Sequence, residues 1–445
     1  MIENALQLLF SMQERSPFTQ VMAKGGSQGT DLQMMREANR LLVLNYVREY
    51  GPISRAAVAR ATGLSATTVS TIIDALLQEG FVQEGAMQKV VTSGGRRAVS
   101  VHFNAVCGYI LGIALGRNHL TMLLCDLSAS IVSRSMLPFD TGRGAAVCIP
   151  LLAAALRAFV SEQGLSWSRV VGVGLGMPGP IDPHLQGPIT PPRMPGWHNV
   201  NVRDLLKQES GVPVYLDNNA NLGALGESRY GAGRNTNNMI YLQLGAGIGG
   251  GLIMDGKMYR GSAGGAGEIG HMTIEPQGPL CSCGKRGCLE ALAGAVAIVD
   301  EVRRLQALAR IDREGAATTG VENASEITDI VQVVQAAQAG DPSCKAALER
   351  AGMFIGIALA NLMNVLNPSL ILIDGSSMRA GSLLLEPIRQ AIAAYSLPDL
   401  RENTRIMAGA LGNDAISLGG IAVVLDAIFG TGSATPHPLL NMSTG

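Results

Sequence analysis

Near the N-terminus, apolar residues recur at helical spacing and predict a group of short helices. An apolar block covers residues 41–47, and an alanine-rich stretch covers residues 54–62. Gly63-Leu64-Ser65 then predicts a tight turn, because glycine readily takes positive φ and serine caps a following helix. The next helix, Ala66 to Glu79, carries its apolar residues at the spacing of one buried face; they are Val69, Ile72, Ile73, Leu76 and Leu77. The pattern predicts a helix-turn-helix.

The opposite face of the second helix is polar near its N-terminus. Together with the capping serine it offers small hydroxyl side chains: Ser65, Thr67, Thr68, Ser70 and Thr71. Strand-like runs at residues 81–84 and 98–101 flank a basic segment, Gly94-Gly95-Arg96-Arg97. This hairpin is typical of a wing, so we expect the hydroxyl groups to face DNA bases, and Arg96 and Arg97 to reach phosphates or a minor groove. The alternative is a helical hairpin used only for dimerisation; the order of turn, apolar stripe and basic hairpin favours DNA binding.

Beyond Asn104, longer apolar runs predict an α/β region. Buried-type strands are predicted at residues 109–115, 170–176, 239–244 and 370–374, and helices at 145–163, 296–310, 327–339, 344–366 and 415–428. The chain therefore divides into a flexible N-terminal segment (1–35), a winged helix-turn-helix (36–104), an α/β domain (105–430) and a flexible tail (431–445).

Composition adds modest constraints. Hydrophobic residues make up 47% and charged residues 16% of the 445-residue chain, which favours well-buried cores. The first 103 residues carry 10 basic and 8 acidic side chains, and the remaining chain carries 24 and 27, a mild asymmetry. The seven cysteines form no disulfide framework, no signal peptide is recognisable, and no apolar run is judged long enough to span a membrane. We expect a cytoplasmic protein with no membrane contact.

A cluster of metal-binding residue types lies within residues 267–290. One imidazole and three thiols fall within eighteen residues: His271, Cys281, Cys283 and Cys288. This set matches a closed, tetrahedral structural Zn²⁺ site, and Gly284 and Gly287 allow the tight loop that it requires. The alternative, three unrelated cysteines beside a surface histidine, fits poorly because cysteine is sparse elsewhere. Glu268 and Glu290 bracket the cluster and are not needed as ligands.

These motifs resemble the ROK family (repressors, open reading frames and sugar kinases). The resemblance rests on residues 177–182, 195–197, 217–227, 245–251 and the zinc loop, and the wing looks like that of the repressor branch, such as the xylose and N-acetylglucosamine repressors. It implies a winged helix followed by a two-lobed actin-like, ribonuclease-H-like ATPase-type domain.

Two positions depart from the kinase members of that family. Their sugar motif, Glu-Asn-Asp-Ala-Asn, contains an Asn-Asp pair whose Asp is the general base. Here the aligned pair is Asn218 and Asn219, and an amide cannot accept the proton of the attacking hydroxyl. Their first phosphate loop reads Asp-Ile-Gly-Gly-Thr-Lys, whereas residues 114–119 read Ala-Leu-Gly-Arg-Asn-His. The glycine run at 245–251 could cradle phosphate, although lobe packing is the favoured interpretation. No catalytic residue is therefore assigned, and phosphotransfer is not expected.

The sugar-contact positions of the family are better preserved. The resemblance assigns sugar contact to Asn218, Asn219, Glu268, His271 and Glu290. Paired acceptors and donors suit sugar hydroxyls, although both glutamates could instead only buttress the zinc loop.

The sequence thus favours a sugar-responsive DNA-binding transcriptional regulator, most simply a repressor. It would bind palindromic operator DNA as a homodimer or homotetramer, and a sugar or sugar derivative would be its effector. The competing hypothesis is a sugar kinase that carries a DNA-binding appendage. Control by a phosphotransferase-system protein is a third possibility, which no residue favours.

Overall fold

The N-terminal domain is a three-helix unit with a small antiparallel sheet. A computed structural model of the chain describes residues 28–86, 99–189, 194–314 and 327–430. The first domain contains α1 (Gln28–Tyr50), β1 (Ile53–Ser54), α2 (Arg55–Thr62), α3 (Ala66–Gln78), β2 (Val82–Ala86) and β3 (Val99–Phe103). Its strands pair in the order β1-β3-β2, and both pairs are antiparallel. The predicted helix-turn-helix and the two strands of the hairpin are confirmed.

The first helix is longer than the sequence pattern indicated. It begins at Gln28, inside the segment 1–35 that we expected to be flexible. Gln33 donates a hydrogen bond to Glu37 one turn later at 3.5 Å, and both side chains are exposed. A mostly solvated face of this kind carries no apolar periodicity, which explains why the pattern started too late.

The first lobe of the α/β region is built on a five-stranded sheet. Its elements are β4 (Tyr109–Leu115), β5 (His119–Asp126), β6 (Ile131–Pro138), α4 (Ala145–Glu162), β7 (Val170–Met177), β8 (Ile181–Asp182), β9 (Gly187–Pro188), α5 (Val202–Ser210), β10 (Val214–Asn218) and α6 (Asn219–Tyr230). The sheet order is β10-β7-β4-β5-β6, with β10, β7 and β4 parallel and β4, β5 and β6 antiparallel. Every residue of β4 and β7 is buried, which is why these strands read as continuous apolar runs.

The second lobe repeats the layered arrangement. It contains β11 (Met239–Leu244), β12 (Ile248–Met254), β13 (Lys257–Met258), α7 (Leu289–Ala293), α8 (Ala295–Glu314), α9 (Ile330–Gln338), α10 (Pro342–Leu366), β14 (Leu370–Asp374), α11 (Ser382–Tyr395), α12 (Pro398–Asn403) and β15 (Arg405–Ala408). The last helix, α13 (Ala415–Phe429), returns to pack against the first-lobe sheet. The sheet order is β13-β12-β11-β14-β15. Helices α8 to α11 bury one apolar cluster with β11 and β14.

Helices α6 and α13 form the centre of the molecule and pack through glycines. A Cβ atom on Gly226 would lie 2.1 Å from the carbonyl oxygen of Ala415, and one on Gly419 would lie 1.8 Å from that of Leu222. Any larger residue at either glycine would push the helices apart. The same α13 lies against β7, since a Cβ on Gly174 would meet the carbonyl oxygen of Gly420 at 2.1 Å.

The winged helix shares one continuous core with this central pair. Val43, Val47 and Val101 of the winged helix belong to the same buried cluster as Ile421 and Phe429 of α13. The winged helix is therefore packed onto the first lobe rather than tethered to it.

Within the described part of the chain, three helices are long and apolar enough, by length and composition alone, to cross a membrane: Ala145–Glu162, Pro342–Leu366 and Gly412–Phe429. The expectation that no apolar run reaches that length is wrong. Their apolar residues nevertheless have a place inside the protein, because each helix contributes to a buried cluster of the lobes.

Candidate functional sites

The predicted metal ligands converge in space. The ligand atoms of His271, Cys281, Cys283 and Cys288 all lie within 4.8 Å of one another. Two edges of the cluster measure 3.7 Å, from Cys281 Sγ to His271 Nδ1, and 3.6 Å, from Cys283 Sγ to Cys288 Sγ. A tetrahedron with Zn–S of about 2.3 Å and Zn–N of about 2.0 Å has edges of roughly 3.5–3.8 Å. The donor set and its spacing therefore fit Zn²⁺.

Backbone turns hold the cluster in shape. Cys281 donates its N–H to the carbonyl of Lys285 at 2.7 Å, and Gly284 donates to Cys281 at 2.9 Å. Gly284 and Gly287 take φ of +85° and +68°. A Cβ on Gly287 would lie 1.6 Å from the carbonyl oxygen of Glu275, whereas one on Gly284 would meet nothing within 4 Å. Gly287 is thus required both by its dihedral angle and by its contact.

Glu268 and Glu290 lie beside the predicted metal ligands. Glu268 Oε2 is 3.8 Å from His271 Nε2, whereas the other ring nitrogen, Nδ1, is the one near Cys281 Sγ. Burial, with a smaller effect of the nearby Glu290 charge, raises the pKa of the Glu268 carboxyl. Glu290 accepts hydrogen bonds from the Ile248 N–H at 3.2 Å and the Ser282 hydroxyl at 3.3 Å. The second contact was not foreseen, because Ser282 has no motif signal beyond its place between two cysteines.

Asn218 and Asn219 begin α6 on the other side of β12. Asn218 caps the helix, since its Oδ1 accepts from Ala220 N–H at 2.7 Å, and its Nδ2 donates to the carbonyl of Gly179 at 2.6 Å. Asn219 Nδ2 donates to the carbonyl of Leu115 at 3.0 Å. Its Oδ1 is buried and has no hydrogen-bond partner among the described residues. The Asn219 amide, which the family resemblance aligns with the kinase base, is thus tied to the end of β4.

The nearest upstream carboxylate is also occupied. Asp217 Oδ2 accepts from Arg260 Nε at 2.9 Å and from a terminal guanidinium nitrogen at 2.7 Å. Its Oδ1 accepts from Asn221 Nδ2 at 2.8 Å. Both carboxylate oxygens of Asp217 are thus engaged by neighbouring side chains. Arg260 was not predicted as the partner of Asp217, because 43 residues separate them.

The glycine run at residues 245–251 lies between the two groups and forms most of β12. A Cβ on Gly251 would meet the carbonyl oxygen of Ala220 at 2.4 Å, next to Asn219. Gly250 donates its N–H to the carbonyl of Gly267 at 2.9 Å, next to Glu268. These contacts agree with the interpretation that the glycine run serves close packing. Strand β12 therefore lies between the sugar-contact candidates of α6 and those of the zinc loop.

The stretch that aligns with the first phosphate loop is a closed hairpin turn between β4 and β5. Gly116 N–H donates to the carbonyl of His119 at 2.9 Å. A Cβ on Gly116 would lie 2.3 Å from the His119 ring, so the ring covers the turn. The Arg117 carbonyl accepts from the Thr141 hydroxyl at 2.9 Å. The loop is therefore engaged with its own chain.

The candidate DNA-binding face lies at the start of α3. Ser65 caps this helix, accepting from Thr68 N–H at 3.1 Å, and its hydroxyl lies 2.8 Å from that of Thr68. Thr71 donates its hydroxyl to the carbonyl of Thr67 at 3.0 Å. Ser65, Thr67 and Thr71 are exposed, and Thr68 and Ser70 are half-buried. The five hydroxyl groups share one helix end, but Ser65 and Thr68 are also used in capping.

An arginine fork braces this domain. Arg55 of α2 forms ion pairs with Asp74 of α3 at 2.6 Å and with Glu84 of β2 at 2.8 Å. Arg55 thereby links α2 to both α3 and the β2 strand of the hairpin. The wing residues Arg96 and Arg97 lie outside the described residues.

Matches to family models agree with this arrangement of domains. Residues 36–83 match a model described as winged helix-turn-helix DNA-binding, and residues 110–427 match the ROK family. The protein is thus a winged helix joined to a domain of the actin-like sugar-kinase fold, as predicted, and the chain belongs to the ROK family.

Curated relatives include both repressors and kinases. The chain is 34% identical to the xylose repressor of Caldicellulosiruptor bescii over 88% of this chain and 96% of the relative. It is 30% identical to the xylose repressor of Bacillus subtilis over 89% and 97%. A glucokinase of Halalkalibacterium halodurans is 35% identical but is matched over only 70% of this chain. The repressors therefore account for the N-terminal part as well as for the ROK domain.

A solved structure shows the same pattern. The crystal structure of a ROK family transcriptional regulator, a homologue of the E. coli MLC protein, superposes with a TM-score of 0.71 at 27% identity, covering 89% of this chain and 97% of that chain. A ROK family glucokinase from Streptomyces griseus, solved with glucose and AMPPNP, gives a TM-score of 0.61 at 28% identity over 71% of this chain and 99% of that chain.

Proposed function

We propose that this protein is a sugar-responsive transcriptional repressor that binds operator DNA and does not phosphorylate its sugar. One observation carries the proposal: the repressor relatives match the chain from winged helix to ROK domain, while an amide stands at the position of the kinase base. Binding to chromosomal DNA would place the protein in the cytoplasm.

The proposed DNA contacts are those of a winged helix. Thr67, Ser70 and Thr71 would face base edges in a major groove, while Ser65 and Thr68 position the helix and approach phosphates. Arg96 and Arg97 would contact phosphates or a minor groove. Two copies of the chain in a homodimer, or two dimers in a tetramer, would read the two halves of a palindromic site.

The zinc cluster would form one wall of the sugar site. His271 would ligate the metal through Nδ1, and its Nε2 side, 3.8 Å from Glu268 Oε2, would face the sugar pocket. Glu268 and Glu290 would accept hydrogen bonds from sugar hydroxyls, and Asn218 and Asn219 would contribute from the start of α6. Zn²⁺ supplies structure here, since four protein donors leave no open coordination position.

Helix α6 offers a route from sugar to DNA. Its first residues are two of the sugar-contact candidates, and its body packs on α13 through Gly226 and Gly419. The end of α13 contacts the winged helix, because Asn45 Nδ2 donates to the carbonyl of Phe429 at 2.8 Å and the Phe103 and Phe429 rings lie 5.9 Å apart. A sugar that changes the closure of the lobes would therefore shift the winged helices relative to each other. The difference in the sugar's affinity for the two arrangements limits how far it can shift the equilibrium between them.

A monosaccharide panel tests the sugar-binding part of the proposal. We expect one or more free sugars, with D-xylose the first candidate, to raise the thermal unfolding midpoint of the protein in a concentration-dependent way. Glu268→Gln should reduce that shift, while Glu275→Gln, in the same loop but outside the proposed set, should leave it unchanged. No shift with any sugar or sugar phosphate would contradict sugar sensing.

The kinase hypothesis is tested by turnover. A coupled assay with ATP and the same sugars should give no activity above background, because Asn219 cannot act as the base. Robust turnover that Asn219→Ala abolishes would replace the repressor proposal with a kinase that carries a DNA-binding domain.

A further inference from the structure

A cavity of about 340 Å³ lies at the junction between the winged helix and the ROK domain. Its lining comes from both domains and includes polar and charged side chains. Arg48 belongs to α1, Ser128 to the turn after β5, Arg229 and Tyr230 to the end of α6, and Asp426 to α13. The cavity is separate from the sugar-contact candidates, which lie at the opposite end of α6.

Arg48 is a cation without a hydrogen-bond acceptor in this cavity. Its guanidinium lies 4.1 Å from the centre of the Phe429 ring, and no hydrogen bond or salt bridge to it is formed within the described part of the chain. The side chain is half-buried. Burial lowers the pKa of the Arg48 guanidinium. A guanidinium presents five N–H donors in a planar fork, so a half-buried one with no acceptor has unused capacity for a planar or tetrahedral oxyanion.

A second guanidinium faces the same space. Arg229 donates to Asp426 Oδ2 at 2.9 Å, which uses one of its nitrogen atoms. Two arginines and one aspartate leave the lining with a net positive charge. The two cations come from different domains, and an anion between them would offset their repulsion.

We propose that this junction cavity binds a small oxyanion, the phosphate or carboxylate group of a small molecule, between Arg48 and Arg229. The anion would join the winged helix to the ROK domain by charge-assisted hydrogen bonds. It would favour one arrangement of the two domains and thereby change DNA affinity independently of the sugar. This cavity is distinct from the proposed sugar site, so an experiment can disprove one of the two binding sites and leave the other standing.

Inorganic phosphate and acetate are the probes, each compared with potassium chloride at equal ionic strength. Titration calorimetry on the full chain should show saturable binding of at least one of them. Binding of phosphate but not of acetate would indicate a phosphorylated ligand, and binding of acetate would indicate a carboxylate ligand. Arg48→Gln should weaken the binding about tenfold or more, the effect of losing one charge-assisted contact. Arg48→Lys, which keeps the charge but not the fork, should weaken it less.

Two control variants separate this cavity from other basic surfaces. Arg134→Gln removes an exposed arginine that pairs with Asp414 at 2.8 Å, and it should bind the probe as the wild type does. The double variant Arg96→Ala, Arg97→Ala removes the predicted wing cations and should also retain binding. No saturable binding of either probe, or binding that the wing variant loses and Arg48→Gln keeps, would overturn the proposal. The unfolding midpoints of all variants without ligand establish that each is folded.

Discussion

At the scale of single residues, Asn219 and Gly287 illustrate different limits of sequence analysis. The prediction that Asn219 replaces a catalytic carboxylate by an amide could be made from the sequence, because it needs only a residue identity and a chemical role. Its bond to the Leu115 carbonyl was not, because the two residues are 104 positions apart. Gly287 was predicted to allow a tight loop, but the close approach of the Glu275 carbonyl depends on a fold that no local pattern specifies.

Gly287 gives a prediction with a matched control. Alanine at Gly284 should cost about 1–2 kcal/mol, the strain of a left-handed backbone alone. Alanine at Gly287 should add about 1–3 kcal/mol for the clash with the Glu275 carbonyl and should also lower zinc content. Denaturant unfolding of both variants measures the difference. Equal destabilisation would show that the loop relaxes around the added methyl group.

The metal cluster is tested by its stoichiometry. Elemental analysis of purified protein should give about one zinc per chain. Cys288→Ser should remove most of the metal and weaken folding, because metal binding free energy is part of folding free energy at such sites. Cys344→Ser, at another buried cysteine far along the chain, should keep the zinc. A fully folded protein that contains no metal would refute the site.

At the scale of elements, continuous apolar runs were predicted well and the glycine-rich strand was not. The strands Tyr109–Leu115, Met239–Leu244 and Leu370–Asp374 were predicted with their observed bounds, because buried strands are apolar throughout. Strand β12 was missed as a strand, since Gly249, Gly250 and Gly251 have low strand propensity and are present for close packing. The path of α6 and α13 through the centre could not be predicted, because glycine packing of two helices leaves no periodic signal.

The α6–α13 contact yields a prediction on coupling. Gly419→Ala places a methyl group 1.8 Å from the Leu222 carbonyl, so the helices must separate. We expect a lower unfolding midpoint and a smaller effect of sugar on DNA affinity, measured by fluorescence anisotropy. Gly265→Ala, where an added Cβ meets nothing within 4 Å, is the control. A destabilised Gly419→Ala variant with a full sugar response would exclude α6–α13 packing as the route of coupling.

At the scale of the whole molecule, the winged helix and the first lobe share one buried core. The domain order was predictable, because the helix-turn-helix pattern and the ROK motifs occupy separate parts of the chain. The packing of the winged helix against the first lobe could not be predicted, because Val43 and Phe429 come together in one cluster only after folding. The shared core means that motion of α13 cannot leave the winged helix unchanged.

The DNA-binding face separates base contacts from backbone contacts. Thr67→Ala and Ser70→Ala should change which DNA sequences are preferred, because base contacts specify. The double variant Arg96→Ala, Arg97→Ala should weaken binding to all sequences and flatten its salt dependence. Selection from a random DNA library followed by titration at several salt concentrations measures both. A uniform loss in the threonine and serine variants would mean that these residues only position the helix.

The most direct test of sugar-responsive DNA binding is one titration. Labelled DNA selected by the full-length protein is titrated with that protein in the absence and presence of each monosaccharide, without ATP. We predict tight binding to the selected site and an affinity that falls at least about tenfold, or roughly 1.4 kcal/mol, with one sugar. DNA affinity that no sugar or sugar phosphate changes would contradict the account.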